Sequence, residues 1–386
     1  MQQPMVRQRT VRVFLLLSAS FSGLHAVLLT VIPGRAAVQG VTAGSAGVLL
    51  ALLAAGGLAG DGVIGKIVAR WGVRTTISAG IALLTLGSAV LFGLAHTGWL
   101  VLAVLLLGLG LSLLTAPILG GLASAADENQ IAAQSMNTVW QRVGTLIASL
   151  FLIQVLEPAN SGLALAAVAI LLATLSAATL TLRTPRVSGS AFAPVDRLIP
   201  TVRASPLLRA GIVLNIATPT MLIVGSSFYP MVLLAMDLPN LLVPGLVGRE
   251  VLGLAAIWLA LRFRDRNRLD RIWAICAVTG VVALVALPGM SEPAAVVALF
   301  ALHGPAMCLA ILLGNTRAYD GTNSRNRFVG FAASAFVMRT TSIIVPLALG
   351  FAIERSVYLA MVLAAAIVFA VVYAYRRFVG TCQTGV

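Results

Sequence analysis

Five charged residues stand inside long apolar runs of this chain: Asp61, Arg142, Arg249, Glu250 and Arg339. An ionised side chain facing lipid costs about 2.5 kcal/mol or more, so such residues are kept where water, a counter-charge or a solute meets them. A carboxylate can take a proton, whereas a guanidinium is always charged and donates hydrogen bonds in a fixed fork. Together they suit the exchange of a proton against an anionic group. On this reading Glu250 or Asp61 exchanges the proton, while Arg142 and Arg339 attract anionic groups of a solute or hold the acids' protonation in check. The opposing reading is a set of fixed interhelical ion pairs that merely order a bundle. Arg249 adjoins Glu250 but lies about 100° round a helix from it, which leaves its direction open.

Smaller polar residues recur around these charges. Ser135, Thr138, Arg142, Thr145 and Ser149 follow helical spacing, with Asn137 and Gln141 beside them. Ser18, Ser22 and His25 repeat the pattern near the N-terminus, and Asn215, Thr218, Thr220, Ser226, Ser227 and Tyr229 cluster about Pro219. A face this polar is unsuited to lipid and is expected to line a cavity. Asn137, Gln141, His25 and Asn215 therefore join Arg142 and Arg339 as candidate solute-binding residues. Serine and threonine also pack membrane helices closely, and His25 and His303 can serve as hydrogen-bonded packing residues. Other chemistries lack their parts. There is no HExxH, GxSxG or clustered His and Asp for an enzyme, and no GxxxxGK[ST] phosphate loop for a nucleotide-driven pump. Cys276, Cys308 and Cys382 have no metal-ligand or disulfide spacing, so no metal and no cofactor is expected.

The elements that must hold these residues follow from composition. The chain is 59% hydrophobic and 10% charged, far from the roughly 25% charged residues of a soluble domain. Segments of roughly 20 apolar residues each cross a hydrocarbon core of about 30 Å. The apolar runs predict an all-α polytopic membrane protein with twelve spans, at 12–32, 44–66, 75–95, 98–123, 131–155, 161–182, 209–233, 241–261, 271–288, 293–315, 328–351 and 356–375. Residues 1–183 and 209–386 form two six-helix halves. Residues 184–208, with four prolines and a Ser/Gly run, read as a flexible cytoplasmic connector. The halves repeat at an offset of 197 residues, where Val139 to Ile147 aligns with Phe336 to Ile344 and Arg142 falls on Arg339. Parallel repeats of this kind place a binding site where the halves meet.

The net charge of +14 would point to nucleic acid in a soluble protein, but here it encodes topology. With both termini in the cytoplasm, 21 of the 26 basic residues fall in inside loops, against Arg35 and Arg355 outside. The positive-inside rule thus orients the chain in the cell membrane. Lipid, protons and a small solute are the expected partners of a monomer, and no nucleic acid.

The loop between the second and third spans reads Gly65, Lys66, Ile67, Val68, Ala69, Arg70, Trp71, Gly72, Val73, Arg74. It resembles the signature of the major facilitator superfamily at that loop, with Gly65, Arg70, Gly72 and Arg74 matching and Ala69 in place of the usual aspartate. Together with twelve spans, a long central loop and two related halves, the resemblance covers nearly the whole chain. It implies a gating role for that loop, pore-lining first and seventh spans, and contacts between spans 5 and 8 and between spans 2 and 11. At about 1.5 Å per residue, Arg142, Arg339 and Glu250 share a similar depth, so Arg142 with Glu250 is the expected pair, whereas Asp61 lies shallower than Arg339. Two features of the antiporter branches are missing: Val104 stands where an arginine precedes Gly108 and Gly110, and span 5 has no Gly-Pro pair. The resemblance implies a proton-coupled secondary transporter of a small anionic or zwitterionic organic solute by alternating access. Efflux of a natural product, metallophore or drug is the first direction. Proton-driven uptake of a metal chelate, siderophore or organic acid is the alternative, and a non-transporting membrane sensor the second.

The charge count makes a direct prediction. A single cysteine introduced at Ser188, on a cysteine-free background, is expected to resist membrane-impermeant maleimide in intact cells; labelling from outside would contradict the orientation.

Overall fold

The computed structural model describes residues 2–38, 40–93, 97–126, 130–152, 161–182, 198–263, 266–322 and 327–383. Residues 183–197 of the expected connector and 153–155 of the fifth span lie outside them, as do Arg183, Arg186, Arg197, Arg264 and Arg325 of the charge count. The side chains of Arg7, Arg35, Lys66, Arg266, Arg327 and Cys382 also fall outside the description.

Helices lie within every predicted span, that of the fifth ending at Leu150. They are α1 (Gln2–Val38), α2 (Ala43–Gly93), α3 (Thr97–Ala126), α4 (Gln130–Leu150), α5 (Ser161–Leu180), α6 (Leu198–Ala204), α7 (Pro206–Ile223), α8 (Tyr229–Ala235), α9 (Leu242–Ala260), α10 (Arg266–Ala286), α11 (Pro293–Ala301), α12 (His303–Asp320), α13 (Arg327–Arg355) and α14 (Val357–Gln383). Among the described residues, ten helical segments are long and apolar enough to cross a membrane. The fifth and sixth predicted spans are not among the ten. Polar residues along α4 lower its hydropathy, and α5 is a shorter apolar helix. Large apolar side chains such as Leu180 (69% exposed) and Tyr373 (72%) point outward, as a lipid-facing surface requires and a water-facing one penalises.

Local sequence explains where the helices turn. The second and third spans run through α2 with a break at Gly72, whose φ of +82° lies in the left-handed region that a side chain disfavours. This gives the loop glycine its physical reason. Span 7 is α7 and α8 joined by a π-helical turn, Val224–Phe228. Span 10 is interrupted at Leu302 because Pro305 has no N–H to give the carbonyl four residues earlier. The connector is not loop throughout: its end forms α6, and the Ser205 hydroxyl caps α7 by accepting from the Leu208 N–H at 3.2 Å.

Close backbone approach organises the packing. A Cβ on Gly144 would stand 2.0 Å from the Ala19 carbonyl oxygen, and one on Gly108 2.0 Å from that of Leu53, so α4 lies directly on α1 and α3 on α2. The halves meet through α2 with α13 and α4 with α9, the contacts expected of spans 2 with 11 and 5 with 8. The apolar core is shared unevenly. One cluster runs through the N-terminal half and continues into Phe228, Tyr229, Phe300, Val345, Leu349 and Met361 at one end of the C-terminal half. A second, around Trp273, Met307 and Tyr375, draws all its buried residues from the C-terminal half. The halves are therefore seamed at the end where α2 begins. There the Gly44 N–H donates to Glu354 Oε1 at 2.8 Å, and a Cβ on Gly47 would meet the Pro346 carbonyl oxygen at 2.3 Å.

Gly144→Leu is expected to lower the thermal stability of the purified protein by about 1–3 kcal/mol or more, since a side chain there must drive α1 and α4 apart. Gly93→Ala, with nothing within 4 Å of the new methyl, should melt as the parent does, and equal melting of both variants would contradict the packing.

Candidate functional site

The two arginines that repeat across the halves sit on equivalent helices, Arg142 on α4 and Arg339 on α13. Each reaches into the other half. Arg142 Nη1 lies 3.5 Å from Glu250 Oε2 on α9, and Arg339 Nε lies 3.3 Å from Asp61 Oδ2 on α2. In each case the fifth helix of one half is tied to the second helix of the other, so the internal repeat of the sequence becomes a pair of reciprocal ion pairs. The shallower position of Asp61 is met by the reach of arginine: the Arg339 guanidinium folds over Gly57, one turn from Asp61, where a Cβ would stand 2.9 Å from Nη1. Glycine at that place leaves the room.

The two pairs differ in surroundings. Glu250 carries a second partner, because Arg249 turns back on its neighbour and places Nε 2.8 Å and Nη2 2.6 Å from Glu250 Oε1. Arg249 Nη1 also donates to Ser226 Oγ at 3.1 Å on the π-helical turn, and its guanidinium lies 5.9 Å from the Phe300 ring centre. A Cβ on Gly225 would stand 2.4 Å from Arg249 Nη1 and 2.7 Å from His303 Nε2. The turn thus packs directly on the arginine. His303 places Nδ1 against the Phe300 carbonyl, and Nε2 is buried without a hydrogen-bond partner. Arg249 and Glu250 are fully buried and Arg142 nearly so, with Arg142 Nε also unpartnered. Asp61, by contrast, has a quarter of its side chain exposed and Arg339 12%. The Ser112 hydroxyl on α3 donates to Asp61 Oδ1.

The remaining candidates are spread over several contacts. Gln141 Nε2 donates to Ser18 Oγ at 3.1 Å, bridging α4 to α1. Asn215 packs near Gly314 between α7 and α12. His25 stacks on Phe21 with ring centres 6.0 Å apart and lies within electrostatic range of Arg339 and Arg142. Asn137 is buried with its side-chain oxygen unpartnered. Of the loop residues, Gly65 lies within α2, Gly72 forms the turn, and Arg70 and Arg74 are exposed.

This architecture matches that of known transporters. The nucleoside transporter NupG superimposes with a TM-score of 0.69 at 14% identity, over 96% of this chain and 98% of that one; a point mutant of it gives 0.69 at 13%, over 96% and 99%. At that identity the likeness is one of fold. No protein-family model matches the sequence, and no curated protein matches it.

Within that fold the structure adds groups that sequence spacing did not expose. Arg317, counted above with the loop cations, is buried near the end of α12. It pairs with Asp270 on α10, which also accepts from the Tyr375 hydroxyl on α14 at 2.5 Å. Trp273 completes this corner, its Nε1 donating to the Ala306 carbonyl at 3.1 Å and its ring edge-on to Tyr375. Asp270 was hidden within the basic run from Arg262 to Arg271, where its charge reads as part of a solvated loop. Ser112 was hidden differently: a lone serine in an apolar helix has no spacing to mark it.

Proposed function

We propose that the protein is a proton-driven secondary transporter of a small anionic or zwitterionic organic solute, working by alternating access. The observation that carries this reading is the pair of reciprocal ion pairs between the halves, Arg142 with Glu250 and Arg339 with Asp61. Charges buried at an interface between two bodies are costly unless paired, so any movement that parts the bodies must re-pair or neutralise them. A proton neutralises a carboxylate, and an anionic solute re-pairs an arginine. Two arginines share one carboxylate around Glu250, and the resulting excess of one positive charge favours an anionic group on the solute.

The seam at the end where α2 begins supports a one-sided arrangement of the halves. With the topology read from the basic loops, that end faces outward and both termini lie in the cytoplasm of a cell membrane protein acting as a monomer. Export is the direction we propose, and uptake is the alternative. A nucleoside, the cargo in the name of the superimposed transporter, is a second reading for the solute, favoured by the unpartnered buried carbonyl oxygen of Asn137, which suits an uncharged hydrogen-bond donor.

The test is flux in proteoliposomes holding the full chain, with an imposed pH gradient and a panel of organic acids, amino acids and nucleosides. A pH-driven accumulation abolished by a protonophore is expected. In cells, flux that survives the protonophore but stops on ATP depletion would overturn the proposal, and absence of any directional flux would favour a sensor.

A further inference from the structure

We propose that Asp61, and not Glu250, is the carboxylate that takes up and releases the transported proton, and that Ser112 is its positioning residue. The inference rests on the proton-driven transport proposed above and assigns the step to one of the two interface carboxylates.

The first ground is the set of partners each acid would need in its neutral state. A carboxylate accepts only, but a protonated carboxyl must also donate. Both oxygens of Glu250 face guanidinium groups, Oε1 that of Arg249 and Oε2 that of Arg142. Arginine has donors and no acceptor. A proton on Glu250 would therefore point at groups that cannot receive its hydrogen bond. Cys308 within its electrostatic range offers only a thiol, a weak acceptor, and His303 Nε2 lies against Gly225 on the π-helical turn. Asp61 differs because one of its oxygens meets a hydroxyl. Ser112 donates to the ionised acid; when Asp61 gains a proton, its O–H donates to Ser112 Oγ, whose own hydrogen swings to the carbonyl four residues earlier in α3. One rotation of a hydroxyl satisfies both states.

Charge balance gives the second ground. Neutralising Glu250 leaves two guanidinium groups, one fully buried and one nearly so, without a counter-charge. Neutralising Asp61 leaves one, Arg339, which like the acid is partly exposed. The exchange is then a simple addition of a proton from the aqueous side to the Asp61 carboxylate, with no other bond made or broken. It releases Arg339 and removes the ion pair between α2 and α13, one of the two described interhelical charge links between the halves. Few other charges lie near: α13 brings Arg339 and α1 brings His25, which is within electrostatic range of that arginine, whereas α3 and α5 have no ionisable side chain.

Infrared difference spectra of the full chain in nanodiscs, taken without any solute as the pH is lowered from alkaline to mildly acidic, test the assignment. The expected result is a protonated-carboxyl band that is lost in Asp61→Asn and kept in Glu250→Gln. Ser112→Ala should shift both the frequency of that band and the pH at which it appears, and Ser112→Thr, which keeps a hydroxyl, should restore them. If Asp61→Asn does not fold, the two Ser112 variants decide the matter alone. A band that survives Asp61→Asn, vanishes in Glu250→Gln, or ignores Ser112→Ala overturns the proposal. A band that follows Asp61 alongside protonophore-insensitive flux would instead overturn only the proton-driven reading.

Discussion

A guanidinium inside a membrane protein cannot be neutralised by losing its proton, so it must be given a counter-charge, and here the counter-charge comes from the opposite half of the molecule. That constraint shapes the interface. Arg142 and Arg339 occupy equivalent places in the repeat, and each is answered by an acid on the second helix of the other half. The answering acids are not themselves equivalent in the repeat. Asp61 and Glu250 sit at different heights on their helices, and the difference is absorbed by the length of the arginine side chain and by the space above Gly57.

In the proposed transport cycle, the inequality between the pairs lets one interface do two things. Around Glu250, the carboxylate, Arg249, Ser226 and the glycine-padded π-helical turn form a sealed joint between spans 7, 8 and 10, with Arg142 entering from the other half. Such a joint is expensive to disturb, because every member is out of reach of water. π-helical turns recur at functional places in helices because they redirect side chains without ending the helix, and here the turn brings Ser226 to Arg249. Around Asp61, exposure and a hydroxyl partner make the same kind of ion pair changeable. One link is suited to act as a pivot and the other as a latch.

Much of this was legible in the sequence because hydropathy and charge are strong local signals. Twelve apolar runs and the repeat carrying Arg142 and Arg339 follow from hydropathy and spacing, and the pairing of Arg142 with Glu250 from depth together with the span contacts that the resemblance implied. The direction of Arg249 did not, since neighbouring residues on a helix diverge and only the long flexible side chain brings Arg249 back to Glu250. The π-helical turn, the break at Leu302 and helix α6 depend on packing against other helices rather than on local pattern. The Asp270, Arg317 and Tyr375 corner joins three helices distant in sequence, and no period along the chain could show it.

The central claim is that Glu250 is a shared counter-charge for one arginine from each half. The most direct measurement is a double-mutant cycle on thermal stability of the purified protein. Glu250→Gln should cost about 3–5 kcal/mol, the penalty of stranding buried charges. Arg142→Gln should cost distinctly less, because Arg249 still satisfies the carboxylate, and the double variant should recover part of the loss seen in Glu250→Gln alone. Equal losses from the two single changes, or losses that simply add in the double variant, would contradict the account.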